Sequence, residues 1–426
     1  MKPLTLRRLS GIVLIVFFAW QASATGFRAG IAVRLVTPDP LLPISGGVGP
    51  SAPATTKQGE LTVRALVFEE GTNRVAIVGS DFLGFPALLG DQVRAGVKGI
   101  PPQNILIGAT HTHSGPDCYG FPDGKGGTAA DLKYLKSVCV RMAEAINEAV
   151  DKLQPATLKI ATGLARGKIS YNYYAERLYD PRCHVIQALD ASGKPIATLV
   201  NYAIHPEVLG NRRGICSPDL VGPLYDRIAE QGGGTALFMN SAQGGMVTAD
   251  NRRPGGTEAN DWPECERIGR LLADEALRLV AEAPVQSAPK VLCLARPLTL
   301  PVDSPLMRQL LQSLPKVHGA PASADTVTTQ LNLLNIGNAQ ILTIPGEALP
   351  NIGYYLKRKM RGEHNLLFGL TNDAFGYILT KEDYDSFERY EYVSRTSLGE
   401  RTGAILVDEA LELVHDSPAP ERLASN

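Results

Sequence analysis

The chain has 426 residues, 44% of them hydrophobic and 20% charged, enough to bury a large core. Lys and Arg number 42 against 43 Asp and Glu, a formal net charge of −1, and no basic stretch is interleaved with aromatics. That balance excludes a nucleic-acid-binding role.

In chain order, Lys2, Arg7 and Arg8 precede an apolar run from Ile12 to Trp20, and Ala22-Ser23-Ala24 supplies small residues for cleavage. This pattern reads as a signal peptide over residues 1–24. The run is about half of the ~20 residues that span a bilayer, so the expectation is an exported protein, periplasmic or secreted. No other stretch is long and apolar enough to cross, which leaves at most peripheral membrane contact. Export makes pairing possible for Cys118, Cys139, Cys183, Cys216, Cys265 and Cys293, with no CxxC spacing to suggest a thiolate metal site.

Residues 37–56 are rich in Pro and Gly and read as a loop over the surface or the site. Beyond them, apolar runs read as buried strands at Val75–Gly79, Ile105–Thr110, Ala197–Ile204, Ala236–Met239, Ile341–Ile344 and Leu366–Leu370. Amphipathic helices alternate with them, near 129–153, 220–230, 265–283, 350–360 and 400–414. A Ser- and Pro-rich stretch at 301–326, containing His318, reads as an insertion or a small subdomain, and residues 418–426 as a disordered tail. The fold class expected is α/β: a mixed, largely parallel sheet or sheets with flanking helices, one compact catalytic domain over 25–417.

Ligands in such folds bind beyond the carboxyl ends of strands. Polar or metal-competent groups follow each apolar run here: Asp81, then His111 and His113, then His205, the Asn240–Thr248 loop, Glu347, and Asn372-Asp373 leading to Tyr377. Residues two apart on an extended chain share a side, so His111 and His113 converge. His111, His113, His205 and Glu347 form an N/O donor set of the kind zinc takes at catalytic sites. Each alone has an ordinary explanation: a capped loop histidine at 205, a helix N-terminal acid at 347, a turn carboxylate at 81, a core tyrosine at 377. Their convergence on strand ends carries the metal reading. No G-x-S-x-G nucleophile elbow occurs.

The segments Ala109-Thr-His-Thr-His-Ser-Gly-Pro116, Asn201-Tyr-Ala-Ile-His205, Ser217-Pro-Asp-Leu-Val221, Ile344-Pro-Gly-Glu347 and Gly376-Tyr-Ile-Leu-Thr-Lys-Glu-Asp-Tyr384 with Arg389-Tyr-Glu391 stand in a familiar order. Over residues 27–415 the chain resembles the neutral/alkaline, non-lysosomal ceramidase family. That resemblance implies Zn2+ held by His111, His205, Glu347 and Tyr377, with His113 beside the metal. It implies an oxyanion or amide contact from Tyr390, with Tyr392 as the alternative, and hydrolysis of an N-acyl amide such as ceramide. Three departures bear on substrate. Thr248 stands for the family's serine, which lies in a Gly-Asp-Val-Ser-Pro-Asn loop. Asn172-Tyr173-Tyr174 stands for an Asn-Arg-Ser segment, so Tyr173 replaces a permanently charged donor among the substrate contacts. The sequence stops soon after the catalytic region, so the expectation is a chain without the family's C-terminal immunoglobulin-like domain. The expectation is a zinc amidohydrolase of ceramide or a related lipid. A smaller amide or ester is the alternative substrate, and a catalytically silent exported binding protein the alternative role. A wide apolar groove favours the lipid, a narrow polar pocket the smaller substrate.

Overall fold

The computed structural model describes residues 26–313 and 325–423. The expected signal segment and His318 lie outside the described residues.

The first sheet runs through β1 (Phe27–Leu35), β2 (Thr62–Glu70), β3 (Asn73–Ser80), β4 (Ile105–Ala109), β5 (Gln154–Leu164), β6 (Arg182–Asp190), β7 (Pro195–Tyr202) and β8 (Thr235–Asn240). Its spatial order is β8-β7-β6-β5-β1-β2-β3-β4, with Val285–Gln286 paired on β5. The second sheet has the order β9 (Val291–Pro301), β10 (Thr326–Ile336), β11 (Ala339–Thr343), β12 (His364–Phe368). The helices used below are α1 (Ala87–Ala95), α2 (Leu132–Asp151), α3 (Val221–Glu230), α4 (Trp262–Ala281), α5 (Pro305–Ser313), α6 (Pro350–Lys359) and α7 (Thr402–Asp416).

The fold is mixed α/β with flanking helices, as the sequence suggests, but the largely parallel arrangement is corrected. Within the two sheets, parallel pairing is confined to β3 with β4, β7 with β8, and β11 with β12; the other pairs in them are antiparallel. The reason is visible in the burial. The parallel pairs carry unbroken apolar runs covered on both faces. Strands such as β9 are buried at only a few positions and alternate weakly.

The layers are helix, sheet, sheet, helix. On β3, Val75 and Ile77 face the second sheet, packing in one cluster with Leu334, Ile341, Leu366 and Phe368. Ala76 and Val78 face the other way, onto Leu135, Val138, Met142 and Ile146 of α2. α3 and α4 cover the β5–β8 end, and α5, α6 and α7 cover the outer face of the second sheet. α2 begins where the Asp131 side chain accepts from the Tyr134 amide, satisfying one of the first-turn donors. All six cysteines are unpaired thiols, five of them buried. Burial pushes the Cys183, Cys216 and Cys293 thiols up to about 12. Among the described residues no helix is long and apolar enough to cross a membrane.

Ile146 is fully buried between α2 and the sheet. Ile146→Ala is expected to destabilise the fold by about 2–5 kcal/mol in denaturant unfolding, without changing metal stoichiometry at a site built from other elements.

Candidate metal centre and cavity

The three parallel pairs end on the same side of the molecule, and their carboxyl ends build the site. Asn240, the last residue of β8, brackets two of them. Its Nδ2 donates to the carbonyls of Thr110 and Ile204, and its Oδ1 accepts from the amides of Ser241 and Ile204. The strand end bearing His111 is thereby tied to the one bearing His205.

His111 sits at φ 73°, in the left-handed region, which costs a non-glycine residue roughly 1–2 kcal/mol. Its amide is held by the Phe82 carbonyl at 2.9 Å, and its ring Nδ1 lies 2.6 Å from the Leu83 carbonyl. His205 Nδ1 lies 2.8 Å from the Val247 carbonyl. A carbonyl only accepts, so both rings carry their proton on Nδ1 and present a bare Nε2 lone pair. Those two Nε2 atoms lie 3.4 Å and 3.1 Å from the same oxygen, Glu347 Oε2. Three acceptors converge with no donor among them, which is unfavourable unless a cation sits between them or a ring takes a second proton. The backbone partners match the outer shell that orients metal-ligating histidines. The donor set therefore fits a divalent metal ion.

Without a metal, the proton solution prevails. Burial would depress His205, but the Glu347 and Glu207 carboxylates outweigh it and raise the ring to about 9. Burial would likewise raise Glu347, yet the two imidazoles hold its carboxyl well below the usual carboxylate range.

Glu347 reaches this point from the second sheet. The short strand Gly346–Ala348 pairs in parallel with Phe375–Ile378 and sets Glu347 opposite Tyr377. A β-carbon on Gly346 would collide with the Phe375 carbonyl, so glycine is required for this pairing. Tyr377 lies on the cavity wall with its hydroxyl 3.4 Å from the Met246 sulfur, and burial keeps the phenol protonated.

His113 completes a three-imidazole group whose donor atoms all lie within 4.8 Å of one another. Its Nδ1 is 3.3 Å from Glu207 Oε2, and its Nε2 is buried with no hydrogen-bond partner. Burial pushes this ring down to about 3, so it is neutral. Glu207 was not anticipated from sequence. The available signal was its place two residues after His205, across Pro206. Burial would raise its carboxyl, but the His113 and His205 rings and the Thr248 hydroxyl together lower it.

These groups stand at the polar end of a cavity of about 200 Å³. Its other walls are apolar, formed by Leu83, Phe121, Met307, Leu310, Leu311 and Phe375. Asp373 also lines it, with two backbone amides on its carboxylate and burial raising it to about 7.

Several expected site residues stand elsewhere. Asp81 lies apart from the cavity: its Oδ2 accepts from the Thr62 amide and hydroxyl and its Oδ1 from the Tyr225 hydroxyl. The carboxylate buttresses β2 against α3 and does not line the cavity. Asn172 is likewise committed, accepting from the Tyr174 and Ala175 amides and donating to the Leu178 carbonyl. Tyr173 is 60% exposed, with its ring beside Tyr174. Thr248 sits behind the wall, its backbone bridged to His205. Tyr390 packs between Tyr174 and Phe387, whereas Tyr392 lines the cavity. Tyr390 ends the short 3-10 turn Glu388–Tyr390, and Tyr392 lies in the helical turn Glu391–Arg395 that follows.

No protein-family model matches the chain. A neutral ceramidase of Pseudomonas aeruginosa is 24% identical over 255 residues, 52% of this chain and 37% of that protein. Neutral ceramidase B of Dictyostelium discoideum is 28% identical over 134 residues, 28% of this chain and 19% of that protein. The crystal structure of the Pseudomonas aeruginosa neutral ceramidase superposes with a TM-score of 0.72 at 18% identity, covering 94% of this chain and 76% of that one. A ceramidase complexed with C2 gives 0.71 at 19% identity, over 94% and 77%. The mixed α/β fold is thus one that solved ceramidases share. The chain has a neutral ceramidase family relationship, over part of those proteins' length.

His111→Ala and His205→Ala are each expected to weaken binding of a divalent metal by more than the roughly 10–100-fold that outer-shell changes cost, read by equilibrium dialysis and metal analysis. Metal uptake near neutrality displaces the second His205 proton. Affinity should therefore rise with pH up to about 9, with proton release visible in calorimetry across buffers of different ionisation enthalpy.

Proposed function

We propose that the chain is a zinc-dependent hydrolase of N-acyl amides, ceramidase-like, cleaving ceramide to sphingosine and a fatty acid. The observation that carries this reading is the join of two environments: a metal-competent imidazole–carboxylate cluster opening into a cavity with apolar walls. An acyl chain suits the walls, and the amide carbonyl suits the polar end.

His111, His205 and Glu347 would hold the ion, with the Tyr377 phenol as the remaining protein ligand that the resemblance implies. When bound, zinc supplies Lewis acidity at the carbonyl and lowers the pKa of water towards ~7. His113 takes a proton from the attacking water on Nε2 and returns it to the departing nitrogen. One water is consumed as the C–N bond breaks, releasing an acid and an amine. Tyr392 accepts from the Val48 amide, which leaves its own proton free to donate to the oxygen that gains charge. It is the cavity tyrosine to which the oxyanion role falls, in place of Tyr390. Thr248 acts behind the site, against Glu207. The signal-type segment at 1–24 supports export of the chain, with at most peripheral contact to a membrane.

A smaller amide or ester is the second reading. The cavity volume of about 200 Å³ favours it, being below the roughly 300–1,000 Å³ of sites that bury drug-sized ligands.

The test is fatty-acid release from ceramides of graded acyl length by the purified protein. Release lost with chelator and restored by zinc is the expected result. A protein that holds stoichiometric zinc yet cleaves only short-chain amides or esters shifts the assignment to the second reading. Thr248→Ala should lower kcat about tenfold or less while leaving zinc content intact, the scale of one lost hydrogen bond; loss of zinc in this variant contradicts the placement behind the site.

A further inference from the structure

The three clustered imidazoles are oriented by different means. His111 and His205 each place Nδ1 on a backbone carbonyl, a fixed dipole on a strand end. His113 has a side-chain carboxylate there instead, Glu207 Oε2 at 3.3 Å, and nothing on Nε2. The scaffold locks that pairing from both sides. The Glu207 amide donates to the His205 carbonyl at 3.0 Å, and the His113 amide donates to the Pro206 carbonyl at 3.0 Å. The turn His205-Pro206-Glu207 is therefore stitched to the strand end that carries His113. The Thr248 hydroxyl faces the same carboxylate and steadies it.

A neutral imidazole carries one proton, and either nitrogen can hold it. A carboxylate with no proton of its own only accepts, so the nitrogen beside it must be the donor. We infer that Glu207 is the positioning residue of this site: its carboxylate keeps the His113 proton on Nδ1 and so turns the Nε2 lone pair into the cavity. The role ascribed to that lone pair rests on the hydrolase reading above; the orientation itself does not. Without Glu207, the ring is free to place its proton on Nε2, where it can neither accept from water nor lie comfortably beside a cation. This is the logic by which a buried carboxylate fixes the tautomer of a catalytic histidine in serine hydrolases, here met beside a metal-competent cluster.

Zinc-loaded wild-type protein is compared with Glu207→Gln, Glu207→Asp and His113→Gln. Glutamine offers a donor as readily as an acceptor, so the tautomer is no longer fixed. Expected for Glu207→Gln is a fall in kcat of roughly 10²- to 10⁴-fold with KM and zinc content within twofold of wild type, and recovery of at least tenfold of that loss in Glu207→Asp. Nitrogen-15 spectra of histidine-labelled protein supply a readout free of turnover. The resonances missing in His113→Gln should report protonated Nδ1 in wild type and a mixture in Glu207→Gln. Unchanged nitrogen shifts in Glu207→Gln overturn the inference. Loss of zinc from that variant makes Glu207 a ligand, and a rise in KM alone makes it a substrate contact; either result overturns the positioning role. If wild type releases no fatty acid from any amide, the hydrolase reading fails, and the nitrogen spectra still decide whether Glu207 orients His113.

Discussion

Two imidazole nitrogens and a carboxylate oxygen aimed at one another, which need a cation or an extra proton between them, set the terms for the structure around them. Such an arrangement is repulsive on its own and becomes favourable only around positive charge. The surroundings are arranged to prevent escape. Leu83 and Val247 hold the far side of each ring, so neither can rotate to bring a donor inward. His111 accepts a left-handed backbone to keep its place, and Asn240 spends all its hydrogen-bonding capacity tying the two strand ends together. Removing the positive charge leaves a frame already shaped to receive it.

The frame is drawn from both sheets. His111, His113 and His205 leave the first sheet, while Glu347 and Tyr377 come from the short parallel pair that follows the second. The site is therefore a seam between two layers whose main bond is the apolar packing of residues such as Ile77 and Leu106 against Ile341 and Leu366. Hydrophobic contact is non-directional and fixes no distance to a fraction of an ångström. Directional ties at the seam supply that accuracy, among them the Asn201 amide on the Leu367 carbonyl and the Gly108–Thr371 bridge. Packing brings the layers together, and hydrogen bonds set their register.

What the sequence revealed follows from the same division. The runs ending at Ala109, Tyr202 and Thr343 were legible because strands buried on both faces must be apolar throughout. The groups that follow them, His111, His205 and Glu347, were legible because polar residues at such ends have few other reasons to be there. The antiparallel strands were not legible; β9 and β10 are covered unevenly and show no clean period. Asp81 and Asn172 looked the same as site residues in sequence. Their real partners, Thr62 and Tyr225 for one and a local turn for the other, depend on close packing that composition does not encode. Tyr390 and Tyr392 stand two residues apart, and the change from a 3-10 to an α-helical turn between them has no mark in composition. Glu207 escaped notice because a carboxylate after His-Pro is unremarkable until His113 is seen beside it.

The six cysteines carry a consequence for where and how this protein can exist. A disulfide would have tied its stability to an oxidant; instead each sulfur is a hydrocarbon-like filler, with burial keeping the reactive thiolate scarce near neutrality. The fold is thus assembled without a disulfide. Reductants used in handling it leave its architecture untouched.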